Sequence, residues 1–299
     1  MSDTDTSQTS VAPPGAAPST SPPRSSFSRL AGDRSRTTAI RAGTFAVVVF
    51  VWWLITRLGL VDPLYLPSPG AVWDAVVRAS TTHPVTEGSD RLVRGEQNYY
   101  LWEHLVASLQ RIGLGVGIAI VVAVPLGLLM ATVKPIGLVV EPYLNFLRSL
   151  PPLAYIGLLI AFFGIGDTSK IWLLFLAAFP PIAMSVISGV RGVREDQVNA
   201  ALTLGASRGQ VLRLVMMPAT LPEILTGIRV ATGFAWTTVV AAEIVNGIPG
   251  IGGLAYISGT QIQTPLTIAS IVVIGIAAIS LDLGIKAIEK TLVPWRGKA

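Results

Sequence analysis

Long runs of apolar residues alternate with shorter polar segments along most of the chain. Six windows are apolar enough, and at about 20 residues long enough, to cross the hydrocarbon core of a bilayer. These windows are Ile40–Leu58, Leu105–Met130, Tyr143–Phe163, Ile171–Val190, Ile224–Val245 and Thr267–Ile285. The third window is the least regular, because Arg148 and Pro151–Pro152 interrupt it. The pattern predicts an all-α integral membrane protein with six transmembrane helices.

The composition agrees with this pattern. Hydrophobic residues make up 51% of the 299 residues and charged residues 13%, whereas soluble domains have about 25% charged residues. The mean hydropathy is +0.62. The formal net charge is +5, and most basic residues lie in loops between apolar runs, so the charge indicates membrane topology and no nucleic-acid partner is expected. With no cysteine and only two histidines, neither disulfides nor a metal centre is expected.

Lysine and arginine positions predict the orientation of the spans, because short cytoplasmic loops carry an excess of them. If all six windows cross and the N-terminus is inside, the basic residues of four segments fall on the cytoplasmic side. These are Arg24, Arg29, Arg34, Arg36, Arg41, Lys134, Arg191, Arg194, Arg208, Arg213, Lys286, Lys290, Arg296 and Lys298. The opposite 246–266 loop contains neither Lys nor Arg. Both termini and the 191–223 loop are therefore predicted to be cytoplasmic.

Two segments outside the spans have distinct compositions. Residues 1–38 are rich in Pro, Ser, Thr and Ala, which predicts a disordered cytoplasmic tail ahead of a membrane domain over 39–299. The 59–104 loop is predicted to be external although it contains Arg78, Arg91 and Arg94, because long loops are translocated largely regardless of charge. Its Ala71–Ala79 stretch has the apolar spacing of a short interfacial helix.

Several residues within the spans are candidates for a translocation path. Tandem prolines at 151–152 and 180–181 free backbone carbonyls, which membrane helices tolerate where they pack together or line a wet cavity. Arg148 is either a cytoplasmic anchor or a cation on the path, and Glu243 either a gate residue or a carboxylate that reaches the membrane interface. Tyr155 and Trp236 either line a pore or pack. Asp282 and Lys286, four residues apart, are expected to form a local ion pair.

The stretch NAALTLGASRGQVLRLVMMP over 199–218 is punctuated by glycine and proline within a predicted cytoplasmic loop. Val198–Leu204 suits a short helix, and Gly205 permits a tight bend after it. Ser207 can cap a second helix over Gly209–Met217. Pro218 is expected to end that helix, and Pro222 to begin the fifth span. The segment is predicted to form a helix–turn–helix elbow on the cytoplasmic face.

The spacing within this elbow resembles the EAA loop of permeases from binding-protein-dependent ABC importers. That pattern is Glu-Ala-Ala, three residues, Gly, nine residues, then Ile-x-Leu-Pro. Ala200–Ala201, Gly205, Val215 and Met217–Pro218 stand at these spacings, and Asn199 replaces the glutamate. Over residues 40–299, approximately, the amino-acid sequence resembles the taurine, alkanesulfonate and nitrate branch of these permeases, and it is most similar to the taurine permeases.

The resemblance implies the type I importer permease fold in a bacterial cytoplasmic membrane, with a homodimer of permease copies embedded in lipid. A cytoplasmic ABC ATPase dimer would bind ATP and magnesium, so the chain itself would be neither an enzyme nor a cofactor carrier, and an extracytoplasmic binding protein would deliver the solute. The ATPase-contacting residues would be Asn199, Ala200, Ala201, Gly205, Ala206, Ser207, Val215 and Pro218.

The implied function is import of a small anion, taurine or another sulfonate, by alternating access. Nitrate and pyrimidine-type precursors are alternative solutes for the same role. An ion-coupled secondary carrier is an alternative of another class, and it would use carboxylates such as Glu243 as a relay. Against it stand the short chain, the lack of an evident inverted repeat and the EAA spacing. An intramembrane enzyme is disfavoured by the absence of cysteine and of clustered carboxylates in the spans.

Overall fold

The computed structural model describes residues 26–84, 90–245 and 247–295, and these residues are mainly helical. The α-helices are α1 (Ser26–Arg57), α2 (Pro69–Ser80), α3 (Leu101–Thr132), α4 (Lys134–Ser149), α5 (Ile156–Phe163), α6 (Asp167–Arg191), α7 (Glu195–Thr203), α8 (Arg208–Val211), α9 (Met217–Glu243), α10 (Ile251–Thr260) and α11 (Thr264–Leu292). A 3₁₀ turn, Pro152–Tyr155, precedes α5, and a π-helical turn, Leu212–Met216, joins α8 to α9. Strands β1 (Thr82–Pro84) and β2 (Leu92–Arg94) form an antiparallel pair.

Five helical segments within the described residues are long and apolar enough to cross a membrane. They are Ala39–Arg57, Leu101–Thr132, Asp167–Arg191, Arg208–Glu243 and Thr264–Leu292. The predicted third span is not one straight helix, because α4 and the Pro152–Phe163 segment meet at an angle of 95°. The break falls at the tandem prolines, where Pro151 has an extended backbone. Counting this bent pair as one span gives the six that the sequence predicted.

Residues up to Leu54 form one unit and Ile55–Ala299 another. Within the first unit, α1 exposes large apolar side chains, among them Phe45, which is 72% exposed. Its helix begins at Ser26, inside the predicted tail of residues 1–38, and the tail boundary at residue 38 stays a prediction. The last proline of the tail is Pro23, and beyond it nothing in the backbone prevents a helix. Residues 1–25 of that tail lie outside the described residues.

In the second unit, α3, α6 and α9 pack together around the main apolar core. Its fully buried members include Ala119 of α3, Ile182 of α6 and Val239 of α9. Glycines let the backbones of α3 and α6 approach closely. A Cβ atom on Gly115 would lie 2.5 Å from the Cβ of Leu174, and one on Gly127 would lie 2.7 Å from that of Val186. Small residues at helix contacts are the usual means of close packing within a membrane.

The tandem prolines of α6 do not end that helix. Pro180 and Pro181 both lie inside the continuous α-helix Asp167–Arg191, and Pro180 is buried. Both prolines line the cavity between α4, α6 and α9. Pro180 therefore packs in the interior and also borders that space.

The predicted external loop contains the expected helix and an antiparallel pair of short strands that the sequence did not indicate. Helix α2 begins after Ser68, whose hydroxyl accepts the N–H of Ala71, and it includes all of the predicted Ala71–Ala79 stretch. Ala79 is fully buried in a small apolar cluster with Leu101 and Leu254. Strands β1 and β2 follow, with Thr82 opposite Arg94.

The predicted ion pair of α11 is present. Lys286 Nζ lies 2.5 Å from Asp282 Oδ2, one helical turn away. Arg229 of α9 lies 3.8 Å from the same carboxylate and 3.7 Å from Glu289. The acidic groups of α11 thus also attract a cation on a neighbouring helix.

Candidate functional site

The elbow begins with α7, which starts at Glu195, three residues before the predicted helix. Glu195 and Asp196 occupy its first turn, where negative charge is favoured by the exposed N–H groups of the helix start. Nothing in α7 is buried within the described structure. The side chain of Asn199 is exposed, and its carbonyl accepts the hydroxyl of Thr203 at 2.9 Å. The residue that replaces the glutamate of the family pattern thus presents an uncharged amide to solvent.

Gly205 makes the predicted bend. Its φ is +88°, a left-handed conformation that favours glycine. The Gly205 N–H donates to the carbonyl of Leu202 at 2.9 Å, and the Ala206 N–H donates to that of Ala201 at 3.1 Å. This pair of bonds is a Schellman motif, which satisfies the last carbonyls of a helix. Ala201 and Ala206 therefore have a structural role in ending α7.

Ser207 caps the second arm as predicted. Its Oγ accepts the N–H of Gln210 at 3.4 Å, and the Gln210 side chain accepts the N–H of Ser207 at 2.7 Å. This reciprocal pair is a capping box. Only Ala206 lies between the left-handed Gly205 and this cap, so the turn between the arms is short.

Replacing Ser207 by alanine is expected to destabilise the start of α8 by about 1 kcal/mol, because the Gln210 N–H loses its acceptor. We expect hydrogen exchange of the backbone amides over 208–211 to accelerate by about fivefold. Ser280→Ala is a matched control, since Ser280 donates only to the carbonyl of Ile276 inside α11. Equal exchange rates over 208–211 in both variants would contradict the capping role.

The predicted end of the second arm at Pro218 is wrong. The chain remains helical from Arg208 to Glu243, so Pro222 lies inside a helix and does not begin the span. A proline clashes with the carbonyl four residues earlier. Here the π-helical turn Leu212–Met216 precedes Pro218, and the N–H of Met217 bonds to the carbonyl of Leu212, five residues back. The wider turn accommodates Pro218 without a break. Val215 lies in this turn and is partly buried.

The elbow exposes large apolar side chains. Leu204 is 89% exposed, and Leu214 is 68% exposed. Leu204 follows α7 directly, ahead of Gly205, in the segment that was predicted to be cytoplasmic. A segment too polar to insert into lipid that still exposes such residues is typical of a protein-binding surface.

A cavity with a volume of about 590 Å³ lies between α4, the 3₁₀ turn, α6 and α9. Three predicted path residues, Arg148, Pro152 and Tyr155, line it. Pro151 is exposed beside it, at the break between α4 and the 3₁₀ turn. The cavity therefore brings together the predicted path residues that belong to the third predicted span.

Trp236 and Glu243 do not line this cavity. Trp236 is 6% exposed and packs in the main apolar core, where its Nε1 has no hydrogen-bond partner within the described structure. Of the two alternatives for Trp236, lining a pore or packing, its position fits packing. Phe234, two residues earlier, lines the cavity. Glu243 is 1% exposed, which does not fit the alternative in which its carboxylate reaches the membrane interface.

Glu243 is held in a buried network of charges and hydrogen bonds. Arg111 of α3 places Nη1 2.5 Å from Glu243 Oε1 and donates Nε to Asp167 of α6 at 2.8 Å. Its Nη2 donates to the carbonyl of Pro249 at 2.7 Å. Two carboxylates and a carbonyl thus surround one buried guanidinium, an arrangement that offsets part of the cost of burying its charge.

The same network fixes the loop before α10. Ser108 donates to Glu243 at 2.7 Å and accepts the N–H of Ile251 at 3.0 Å, and the N–H of Gly252 donates to Glu243 at 2.9 Å. Fully buried His104 accepts the Gly250 N–H at its Nδ1, at 3.1 Å. Glu243 is thereby bound to α3 and to the N-terminus of α10. Its position supports a structural role and places it outside the cavity.

Sequence reasoning missed Arg111, Ser108, His104 and Asp167. Arg111 carries the signal that singled out Glu243, a charge inside an apolar window. A lone arginine in one window and a lone glutamate in another also suggest a buried pair. The polar partners Ser108 and His104 give no such signal, because neither residue type is unusual near the end of a span.

No cluster of three or more His, Cys, Asp or Glu side chains that could hold a metal ion occurs in residues 26–84, 90–245 and 247–295. The groups that could contact a solute in the cavity are Arg148, Glu223 and several hydroxyl groups. Such an arrangement can bind a charged or hydrogen-bonding molecule without forming or breaking covalent bonds.

Comparison with known proteins identifies the family to which the sequence is similar. The family model described as "binding-protein-dependent transport system inner membrane component" matches residues 123–297. The chain is 39% identical to the taurine transport system permease protein TauC of Escherichia coli, covering 88% of this chain and 92% of TauC. It is 31% identical to the putative aliphatic sulfonates transport permease protein SsuC of Bacillus subtilis, covering 84% and 85% of the two chains.

A more distant relative and a solved structure extend the comparison. The bicarbonate transport system permease protein CmpB of Synechocystis is 29% identical, covering 87% of this chain and 91% of CmpB. A structure of the inward-facing MetNI methionine ABC transporter superposes with a TM-score of 0.55 at 21% identity, covering 64% of this chain and 94% of that one. This structural likeness supports the fold.

Proposed function

This chain belongs to the family of binding-protein-dependent transport system inner membrane components, and on that premise we propose that it imports taurine or another sulfonate. It is a permease subunit of an ABC importer in the taurine, sulfonate and bicarbonate branch, and not itself an enzyme. Importers of this family work with an ATPase and a binding protein. The observation that supports the role of this chain most directly is the exposed elbow, because its motif spacing and its 89% exposed Leu204 fit a docking segment.

The elbow would contact the ATPase. The 299 residues contain no G-x-x-x-x-G-K-[ST] motif, so the phosphate-binding loop, ATP and Mg²⁺ belong to the ATPase partner. A helix ended by a Schellman motif and followed at once by a capped helix has few freely rotating bonds. Closure of an ATPase dimer would therefore move the elbow as a rigid body. This movement would change the side of the membrane to which the spans open. Asn199 would contribute a neutral hydrogen-bonding contact in place of a charged one.

The remaining assembly follows from the same premise. The elbow and both termini would face the cytoplasm, because the basic residues cluster there and an ATPase requires it. The permease would act as a homodimer in the bacterial cytoplasmic membrane, and a binding protein would deliver the solute to the side of the predicted external loop. Each copy would contribute one elbow to one ATPase subunit.

A sulfonate is the preferred solute, because TauC and SsuC are named for taurine and aliphatic sulfonates. Arg148 at the cavity is compatible with any small anion. Nitrate and pyrimidine-type precursors remain alternative solutes for the same role, and bicarbonate joins them through CmpB. An ion-coupled carrier that uses Glu243 as a relay is disfavoured, because that carboxylate is bound by Arg111 and Ser108 outside the cavity.

The docking role predicts that Leu204→Asp weakens binding of the ATPase by roughly tenfold, or about 1–2 kcal/mol, because it places a charge in an apolar contact. ATP-driven taurine uptake into vesicles that hold permease, ATPase and binding protein is expected to fall in parallel. The measurements are ATPase retention on immobilised permease and uptake of labelled taurine. The melting temperature of the permease alone should not change, because Leu204 packs against little in the described structure.

Leu60→Asp is the matched control, since Leu60 is 69% exposed and lies in the predicted external loop. It is expected to leave ATPase retention unchanged. Normal ATPase retention and uptake in the Leu204→Asp variant would rule out the docking assignment. Wild-type vesicles that take up neither taurine nor alkanesulfonates would rule out the proposed solute.

A further inference from the structure

We propose that the cavity between α4, α6 and α9 binds a zwitterion, with Arg148 contacting its anionic group and Glu223 its ammonium group. This inference rests on the proposed function, because it takes the cavity as part of the path of an imported solute. It goes further by requiring two opposite charges in that solute. Taurine meets this requirement, whereas nitrate, bicarbonate and simple alkanesulfonates do not.

The first observation is that two opposite charges line one cavity and are unpaired. Arg148 lines it from α4 and Glu223 from α9. Neither side chain has an ion pair or hydrogen bond with any other described residue. By contrast, Arg191 and Glu141 nearby pair with each other at 2.8 Å. The charges at the cavity are thus available to a ligand.

The second observation is the set of hydroxyl groups that line the same cavity. Ser185 and Ser188 of α6 both line the cavity, and neither hydroxyl makes a hydrogen bond within the described residues. Thr226 of α9 also lines it, although its hydroxyl already donates to the carbonyl of Pro222 at 2.9 Å. A hydroxyl can donate to a sulfonate oxygen and accept from an ammonium group. These serines can therefore serve either end of a zwitterion.

The third observation is the aromatic and apolar lining of the same space. Tyr155 lines the cavity from the 3₁₀ turn and Phe234 from α9. An aromatic face attracts an ammonium group and packs against a short methylene chain. At about 590 Å³, the cavity lies within the usual range for small-molecule sites. It has room for a small solute with several water molecules.

Glu223 would discriminate between a zwitterion and a solute that carries only a negative charge. A solute with only a negative charge can pair with Arg148, but it brings like charge toward the Glu223 carboxylate and leaves that group unpaired. Both effects disfavour the anion relative to a zwitterion. A charge-assisted hydrogen bond of about 1.5 kcal/mol corresponds to roughly a tenfold preference. The site would thus select for the ammonium group after the binding protein has selected for the sulfonate.

The test compares taurine with ethanesulfonate, which lacks only the amino group. Binding of labelled taurine to the permease–ATPase complex in lipid nanodiscs is measured without the binding protein, and unlabelled ethanesulfonate competes. We expect ethanesulfonate to bind the wild type about tenfold more weakly than taurine. Glu223→Gln should weaken taurine binding by about tenfold and leave ethanesulfonate unchanged or tighter. Arg148→Gln should weaken both ligands, and Arg148→Lys should restore most of the binding.

Glu141→Gln is the matched control, since Glu141 lies on the same helix as Arg148 but outside the cavity lining. It should bind both compounds as the wild type does. Because ethanesulfonate is measured on every variant, a general loss of folding is distinguished from a specific loss of ammonium binding. A misfolded Glu223→Gln variant would lose both ligands, and Glu223→Ala, with the same expected loss of taurine selectivity, would then replace it.

Equal affinity for taurine and ethanesulfonate in the wild type, or no effect of Glu223→Gln on taurine, would overturn the inference. ATP-driven uptake, measured on the same preparations with the binding protein added, separates this outcome from failure of the proposed function. If taurine is imported but the cavity binds taurine and ethanesulfonate equally, the proposed zwitterion site is wrong and the importer role stands. If no sulfonate is imported, the proposed function fails as well.

Discussion

Replacing Arg111 by methionine is expected to destabilise the folded protein by about 3–5 kcal/mol. The substitution leaves the fully buried Glu243 carboxylate without its cation, and breaking a buried pair by removing one partner has a cost of this size. Glu243→Gln should cost less, because Arg111 keeps Asp167 and the carbonyl of Pro249 as partners. The measurement is the free energy of unfolding in mixed micelles, titrated with denaturing detergent.

The exposed ion pair between Arg94 and Glu103 supplies the matched control. Its nitrogen and oxygen lie 2.9 Å apart, but the arginine side chain is 52% exposed. Arg94→Met is therefore expected to cost less than about 1 kcal/mol. Equal losses for Arg111→Met and Arg94→Met would contradict a structural role for the buried network. The same would hold if Glu243→Gln cost as much as Arg111→Met.

Replacing Gly115 by valine is expected to cost about 3 kcal/mol by separating α3 from α6. The new Cβ atom would lie 2.5 Å from the Cβ of Leu174 and 3.0 Å from the carbonyl oxygen of Ile171. Backbone and Cβ atoms cannot rotate away, so the two helices must move apart. The free energy of unfolding is measured as for the arginine variants, and ATP-driven uptake is expected to fall with it.

Gly113 and Gly117, two residues away on either side in α3, are the matched controls for Gly115→Val. A Cβ atom at either position meets nothing within 4 Å. Gly113→Val and Gly117→Val should therefore change stability by less than about 0.5 kcal/mol. If all three variants lose the same stability, the loss comes from valine in the helix, and the close contact between α3 and α6 has no special importance.

The elbow could be predicted from sequence because its chemistry is local. Gly205 and Ser207 stop one helix and start the next through bonds that span at most five residues. The end predicted at Pro218 was wrong for a related reason. Proline strongly disfavours a regular α-helix, but a π-helical turn is a second solution, and no residue type signals it.

The buried network could not be assembled from sequence. Arg111 is separated from Asp167 by 56 residues and from Glu243 by 132. The cost of a buried charge indicates that a partner exists, but it does not indicate which helix carries that partner. The packing of α6 between α3 and α9 brings the partners together. Burial of Glu243 against the glycine-rich segment over 247–253 then follows from tertiary contacts that no periodicity encodes.

The cavity was predicted in part. The irregularity of the third window drew attention to Arg148 and to the tandem prolines, and the chain does turn by 95° there. Glu223 lies beside Pro222, where the sequence predicts the start of a span and where a carboxylate is ordinary. Only the folded arrangement shows that it faces the same space as Arg148.

The unbroken helix from Arg208 to Glu243 has a mechanical consequence. Its 36 residues correspond to a rod about 54 Å long at 1.5 Å per residue. One end adjoins the Ser207 cap, and the other carries the carboxylate that holds Arg111 and the start of α10. A tilt of this rod by a few degrees about its middle would displace both ends in opposite directions. A displacement at the elbow would therefore reach the far end of the bundle along one continuous helix, which contains the π-helical turn Leu212–Met216.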